Sequence, residues 1–478
     1  MHARNRLGRH FHVTSSLVLS IATLVLHDAR AQDNAGSASS TPSATSTAGS
    51  DGTWAKAADE WATFTVTGTQ RVRYGSGTQW IEASAAGSTP CTNDYFGHDP
   101  LVGVSKECDV WTGTSTPASG APHAGPPPPS NSATLGTPRD SVRFFISGHS
   151  LTYEPFGDYV EKIAQSLGSS ARYNEQLILG SAIQQRVRGN GNDSDTGFAG
   201  YSQGMNRDGG SNMNVIEELR NPQTLGGDRY DTLLITERYD VLLVIDYNKT
   251  ARYLRHVHER LIEGNPRANS YFYESWFALP DKSDPRTWIA YERAAHPVWK
   301  CVATRVNQSL MGEGRGDRIA SLPAASAMAE LIERATQGYV DGVTSSSVLE
   351  TVNRIISDEV HMSSLGKYYM ALVTYGALYR RSPVGAWFPS NDVTSTQASS
   401  LQQIAWDYIS SYYAKNDTPL SLEQCQTLVQ KSFCDAYWSF HGDTGQIPSC
   451  LRRFAQQDDG NPFYYNAATD SEYWFPAP

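Results

Sequence analysis

The 478-residue sequence carries no basic surplus: 39 Lys and Arg stand against 49 Asp and Glu, a formal net charge of -10. A nucleic-acid binder would show a basic face, so that class is set aside. No apolar run reaches the ~20 residues that a spanning helix needs, and no membrane span is predicted. No Cys-x-x-Cys pair or Cys/His cluster has zinc-ligand spacing, and no cofactor is expected. Charged residues make up only 18% of the chain and hydrophobic ones 39%, the balance of an ordinary globular protein. The length allows two or three domains.

What is present begins with an export signal. Arg4, Arg6 and Arg9 form a basic stretch, Leu17 to Leu26 is apolar, and Ala29-Arg30-Ala31 places small residues where a signal peptidase reads. This layout predicts a signal peptide over 1–31, a mature chain from Gln32, and a secreted or periplasmic protein. An uncleaved N-terminal anchor is the alternative. The six cysteines, at 91, 108, 301, 425, 434 and 450, are an even number in an exported chain and predict disulfides. Cys91 and Cys108 enclose a short segment and are the expected pair; the other four allow three pairings.

Residues 32–50 are mostly Ser, Thr, Ala and Gly and predict a disordered linker. A second linker, 112–139, is centred on Gly125-Pro126-Pro127-Pro128-Pro129, a stiff spacer. Between them, 51–111 reads as a small all-β module. Thr63 to Thr67 alternates with period two, and Arg71 to Tyr74 follows a Gly-Thr-Gln turn. A domain this small is marginal alone, which suits a Cys91–Cys108 staple.

The pattern V-R-Y-G (Val72 to Gly75), C-T-N (Cys91 to Asn93), F-G-x-D-P (Phe96 to Pro100) and K-x-C (Lys106 to Cys108) resembles a β-module attached to secreted bacterial carbohydrate-active enzymes. This copy lacks the N-terminal cysteine pair that relatives carry. The resemblance implies a carbohydrate-binding or spacer role; a plain folding cap is the alternative.

From Ser141 onward, apolar runs alternate with amphipathic stretches. Strands are predicted at Val142–Ile146, Gln176–Leu179, Thr232–Thr236 and Asn269–Phe272. Helices are predicted from Phe156 to Leu167, Ile245 to Ile262, Ala324 to Ala335 and Gly366 to Tyr379. Alternating strands and helices predict an α/β fold with a parallel sheet between helical layers, its chemistry at the C-terminal strand ends. The domain spans 140–390. Residues 391–478, with a helix at Ala398–Tyr413 and a disulfide-stapled stretch from Cys425 to Cys450, read as an extension packed on it.

Two segments carry the chemistry. Ser147-Gly148-His149-Ser150-Leu151 lies where the first strand should end and a helix begin. A serine there is exposed at the sheet edge with its N–H aligned to a helix N-terminus, where developing negative charge is stabilised. About 200 residues on, Asp358 and His361 stand three apart in Ser357-Asp358-Glu359-Val360-His361. That spacing lets the carboxylate hold one imidazole nitrogen while the other accepts the serine proton. Alone, each has a plain reading: a strand–helix turn, and a capping Asp beside a surface His.

Together, Gly148-His149-Ser150-Leu151 and Asp358-x-x-His361 resemble the SGNH/GDSL hydrolases, a family of serine esterases, lipases and deacetylases, over roughly 141–385. His149 replaces the acidic or Asn residue usual there. The resemblance implies a three-layer αβα sandwich with five parallel strands, no metal, and Ser150, Asp358 and His361 as the catalytic residues. It implies oxyanion donors from Ser150 and from Gly180, in Leu179-Gly180-Ser181. The third donor departs from the pattern: Glu237-Arg238-Tyr239-Asp240 stands where a Gly-x-Asn-Asp block is usual, so Tyr239 or Arg238 is expected to substitute. Glu237, an acceptor, would repel an oxyanion unless Arg238 neutralised it.

Other signals are read plainly. Gly189 to Gly197 is rich in oxygen ligands, but Gly204 stands where a calcium loop needs its closing carboxylate, so a solvated loop is expected. His256 and His258, two apart on a helix, face different ways. Arg315-Gly316-Asp317 reads as a turn. The function expected is hydrolysis of carboxylic esters, namely O-acyl (acetyl) groups on a polysaccharide. The alternatives are a lipase or polyester depolymerase, and a non-catalytic carbohydrate-binding protein on a degenerate hydrolase scaffold.

Overall fold

A computed structural model of the chain describes residues 53–96, 100–101, 104–112, 137–188, 200–202, 204–210, 213–415 and 419–474. The predicted signal segment, the linker at 32–50, most of the 112–139 linker and the Gly189–Gly197 loop lie outside them. The chain divides into two compact units, Met1–Pro126 and Pro127–Pro478.

In the first unit, β1 (Trp54–Asp59), β2 (Thr63–Ser76), β3 (Gln79–Pro90) and β4 (Glu107–Trp111) form one antiparallel sheet in the order β1-β4-β2-β3. The turn expected at Gly68-Thr69-Gln70 is instead an irregularity within one long strand: pairing with β3 shifts between Val66 and Gln70. A bulge bends a strand without ending it. The motif residues converge on the core side. Tyr74 stacks on Phe96, and its hydroxyl lies within hydrogen-bonding distance of both Glu60 (2.6 Å) and Asn93 (2.7 Å). Buried Lys106 pairs with Glu60 at 2.8 Å, and Cys91 is bonded to Cys108.

In the second unit, β5 (Ser141–Gly148), β6 (Ser170–Leu177), β7 (Thr232–Thr236), β8 (Asn269–Tyr273) and β9 (Ile319–Leu322) form a five-stranded parallel sheet in the order β6-β5-β7-β8-β9. Side chains alternate across a strand, so each strand feeds two cores. Phe144, Leu234, Tyr271 and Tyr273 pack against the helices Phe156–Ser166, Ala324–Thr336, Ser364–Tyr379 and Ser395–Lys415. Phe145, Leu233, Ile235 and Phe272 face the helices Thr250–Gly264 and Arg286–Gly312. Each large apolar side chain so buried is worth about 1.5–3 kcal/mol. The three-layer αβα architecture is the one expected.

Three element boundaries differ from expectation. The second strand runs Ser170–Leu177, because the edge strand β6 carries polar residues that mask its first half. The helix expected from Ile245 to Ile262 is two, Val241–Asp246 and Thr250–Gly264, broken where Lys249 adopts the left-handed conformation. The fifth strand, short and preceded by the 27-residue helix Arg286–Gly312, had no periodic signal of its own. The open pairings resolve as Cys301–Cys425 and Cys434–Cys450. The first ties the C-terminal segment to the Arg286–Gly312 helix, and Asp470 pairs with buried Arg305 on that helix. His258 bonds Ser270 and Asp317, so the Arg-Gly-Asp turn anchors the entry to β9. No described helix is long and apolar enough to cross a membrane.

Candidate active site

The centre of the sheet sets the site. β5 lies between β6 and β7 and ends at Gly148, where a Cβ would fall 2.0 Å from Thr152 Oγ1. Only glycine lets the chain fold back so tightly. His149 then caps a 3-10 turn, Ser150–Thr152, with its Nδ1 accepting from Leu151 N at 3.4 Å. Its Nε2 therefore carries the proton and donates to Glu237 O at 2.8 Å. Burial, reinforced by the Arg186 charge, pushes this imidazole down to about 3. His149 is thus a neutral brace between the strand end of β5 and the loop after β7. Ser150 itself stays half-buried in the turn that His149 holds.

Gly180 sits in the turn after β6 with φ +69, a conformation costly for side-chain-bearing residues. Ile178 N donates to Gly148 O at 3.1 Å, hanging this turn beside the Ser150 loop.

The loop after β7 answers the Glu237 question differently from expectation. The Glu237 carboxylate is fully buried and points inward, accepting from Ile183 N (3.0 Å), Arg238 N (2.7 Å) and Thr250 Oγ1 (2.8 Å). Burial pushes it up, and the buried Arg186 guanidinium opposes that shift. Arg186, not the Arg238 guanidinium, is its counter-charge. Arg238 is half-buried and its charge reaches His149. Tyr239 is exposed, with its ring edge-on to Phe277 at 5.2 Å.

Arg186 and Ser275 escaped the sequence reading. The Arg186 guanidinium, buried throughout, donates to Ser147 Oγ (3.0 Å), Ser181 O (2.8 Å), Ser181 Oγ (2.9 Å) and Thr236 O. One cation therefore ties together the three strand-end segments that carry Ser150, Gly180 and Arg238-Tyr239. Burial holds it down, to about 10, still charged near neutrality. Ser275, after β8, donates to Glu237 O, sharing that acceptor with His149. The only sequence hint of Arg186 is a charge between Ile183 and Val187, both buried.

Asp358 and His361 are joined as expected, His361 Nδ1 lying 2.7 Å from Asp358 Oδ2. Asp358 Oδ1 accepts from the Val360 and His361 N–H groups at 2.8 and 2.7 Å. Burial alone would push this carboxyl up; the bonds to His361 and Val360 outweigh it and hold it at about 2. The loop is pinned from both sides. Trp276 Nε1 donates to Val360 O and Leu279 N to Glu359 O. Lys367, on the helix that follows, donates to Glu154 O, just past the Ser150 turn, at 2.8 Å. That bond ties the helix after the His361 loop to the chain just past the Ser150 turn, while no hydrogen bond joins Ser150 to His361 among the described residues.

No family model matches the chain. Among solved structures, a DUF4886 family protein from Bacteroides uniformis is similar at TM-score 0.38 and 13% identity, over 60% of this chain and 99% of that one. A carbohydrate esterase family 2 enzyme with a carbohydrate binding domain, from Corynascus thermopiles, gives TM-score 0.23 and 15% identity over 60% and 91%. A family two carbohydrate esterase from Clostridium thermocellum, an active-site mutant, gives 0.25 and 9% over 67% and 86%. Likenesses this weak carry no argument about chemistry.

Proposed function

We propose that the second unit is a serine esterase of the SGNH/GDSL type. What supports this reading is the Asp358–His361 bond, with Nδ1 engaged and the carboxylate held ionised, together with the braced turn that carries Ser150. Ser150 Oγ attacks an ester carbonyl carbon as its proton passes to His361 Nε2. The oxyanion takes the N–H groups of Ser150 and Gly180, with Arg238 or Tyr239 in place of the usual Asn. The C–O bond to the alcohol breaks, and the alcohol leaves with the proton from His361. Water, deprotonated by the same imidazole, then attacks the acyl carbon, freeing the acid and restoring Ser150.

We assign the substrate as an O-acyl group, acetyl first, on a polysaccharide, in the periplasm or outside the cell. The attached β-module and the three disulfides support that setting. Ser150→Ala should cut turnover of a short chromogenic ester by about 10⁶, to background; unchanged turnover would end the assignment. Acetylated xylan beside a chain-length series of esters separates this substrate from a lipid or polyester. A non-catalytic glycan binder is the second reading, favoured by the unusual Glu237-Arg238-Tyr239 loop; failure of a fluorophosphonate to label Ser150 would select it.

A further inference from the structure

The Arg238-Tyr239 loop is held by a part of the chain that the catalytic reading leaves unused. The usual Asn is missing there, so a third oxyanion donor must sit on a longer side chain, Arg238 or Tyr239. Such a group is placed only as well as the backbone that carries it, and a donor out of place loses most of its effect. Tyr239 is exposed, so its own burial does not order it. Asp240, next in the chain, is the N-cap of the helix Val241–Asp246, yet its side chain makes no capping bond. A carboxylate at that position ordinarily accepts from the first helical turn. Asp240 instead accepts from the Tyr437 hydroxyl, 197 positions on. Tyr437 is buried. Burial, then the Asp240 charge, push its hydroxyl up, so it keeps the proton it donates. At the other end of the same helix, Asp246 pairs with Arg453.

Tyr437 and Arg453 lie on the helices Cys434–Phe440 and Ile447–Phe454, which the Cys434–Cys450 bond joins. One cross-linked pair of helices therefore grips both ends of Val241–Asp246. The pair is anchored in turn. Cys301–Cys425 fastens the segment before it to the Arg286–Gly312 helix, and Phe440 stacks on Tyr291 of that helix at 4.2 Å. A second route to the loop runs through rings. Tyr239 meets Phe277 edge-on at 5.2 Å, and Phe277 meets Phe440 at 5.6 Å and His441 at 4.8 Å, both edge-on. Edge-to-face contacts fix orientation as well as distance. The C-terminal segment thus reaches the loop by charge at Asp240 and by packing at Tyr239.

We propose that residues 434–454 form a clamp that sets the Arg238-Tyr239 loop for oxyanion stabilisation, with Tyr437 and Arg453 as positioning residues. The proposal rests on the esterase reading of Ser150. The test uses the full-length protein and a short chromogenic ester, with kcat expressed per folded molecule from circular dichroism. Tyr437→Phe keeps the ring and deletes the bond to Asp240. It should lower kcat about ten- to a hundredfold with KM nearly unchanged, somewhat less than the ~10²–10³ of a donor lost outright. In an Arg238→Gln/Tyr239→Phe background, where no donor is left to position, Tyr437→Phe should lower kcat no further. Arg453→Gln releases the other end of the same helix, should act in the same direction, and covers the case in which Tyr437→Phe fails to fold. Equal losses from Tyr437→Phe in both backgrounds would make its role merely structural and overturn the proposal. So would wild-type kcat in both single variants while turnover still required Ser150. Turnover indifferent to Ser150→Ala would instead refute the esterase reading, and the clamp with it.

Discussion

Arg186→Met tests the architecture beneath the candidate site most directly. The substitution keeps most of the volume and deletes a guanidinium bonded to Ser147, Ser181 and Thr236 and paired electrostatically with Glu237. Its side chain is nine-tenths or more buried, so water cannot replace the lost donors. Each orphaned buried acceptor costs about 1–3 kcal/mol, and removing one member of a buried charge pair costs about 3–5 kcal/mol. These costs overlap, so a loss on the order of 3–5 kcal/mol is expected, a large share of the ~5–15 kcal/mol of a typical fold. Urea unfolding of the full chain measures it. A merely structural role predicts nothing more. A positioning role also predicts that the folded fraction of the variant has lower kcat on a short ester with KM nearly unchanged, because the turns bearing Ser150 and Gly180 lose their common tie. Arg186→Lys should keep the charge yet fail to span three segments, and should fall between the two. Wild-type stability together with wild-type kcat in Arg186→Met would refute the reasoning.

Further outcomes follow from the same geometry. Asp358→Asn should lower kcat by about 10⁴, since an amide can hold the imidazole in the wrong tautomer; the folded state should survive, because the site is open to solvent, and circular dichroism checks this. With Asp358 held at about 2, its charge persists to strongly acid pH, so loss of rate at mildly acid pH must come from another group. Glu175, on β6, is buried with both carboxylate oxygens unpartnered; burial, then Glu154 and Asp158, push it up to about 8, against the opposing charge of Arg207. A raised folded-state value means stability complete below the ordinary glutamate range and lost as pH climbs through about 8. The melting temperature should fall from pH 6 to pH 9, and Glu175→Gln should flatten that slope; an identical slope in the variant would sink the assignment.

Local pattern announced the parts of this protein, because local pattern is what strands, turns and short disulfide loops depend on. The apolar run from Val142 to Ile146, the three-residue spacing of Asp358 and His361, and the short Cys91–Cys108 loop each carry their signal within a few positions. The αβα layering followed from alternation of such elements. Long-range electrostatics had no such signature. That Glu237 turns inward, that His149 serves as a neutral brace, and that Arg186 is the cation binding three strand ends depend on residues 39 and 50 positions away meeting in the buried interior. The same holds for Trp54, Trp80 and Trp111 in the first unit. Nothing within a few positions of any of those rings marks them as neighbours, and only the strand order β1-β4-β2-β3 puts them together on the side away from the core.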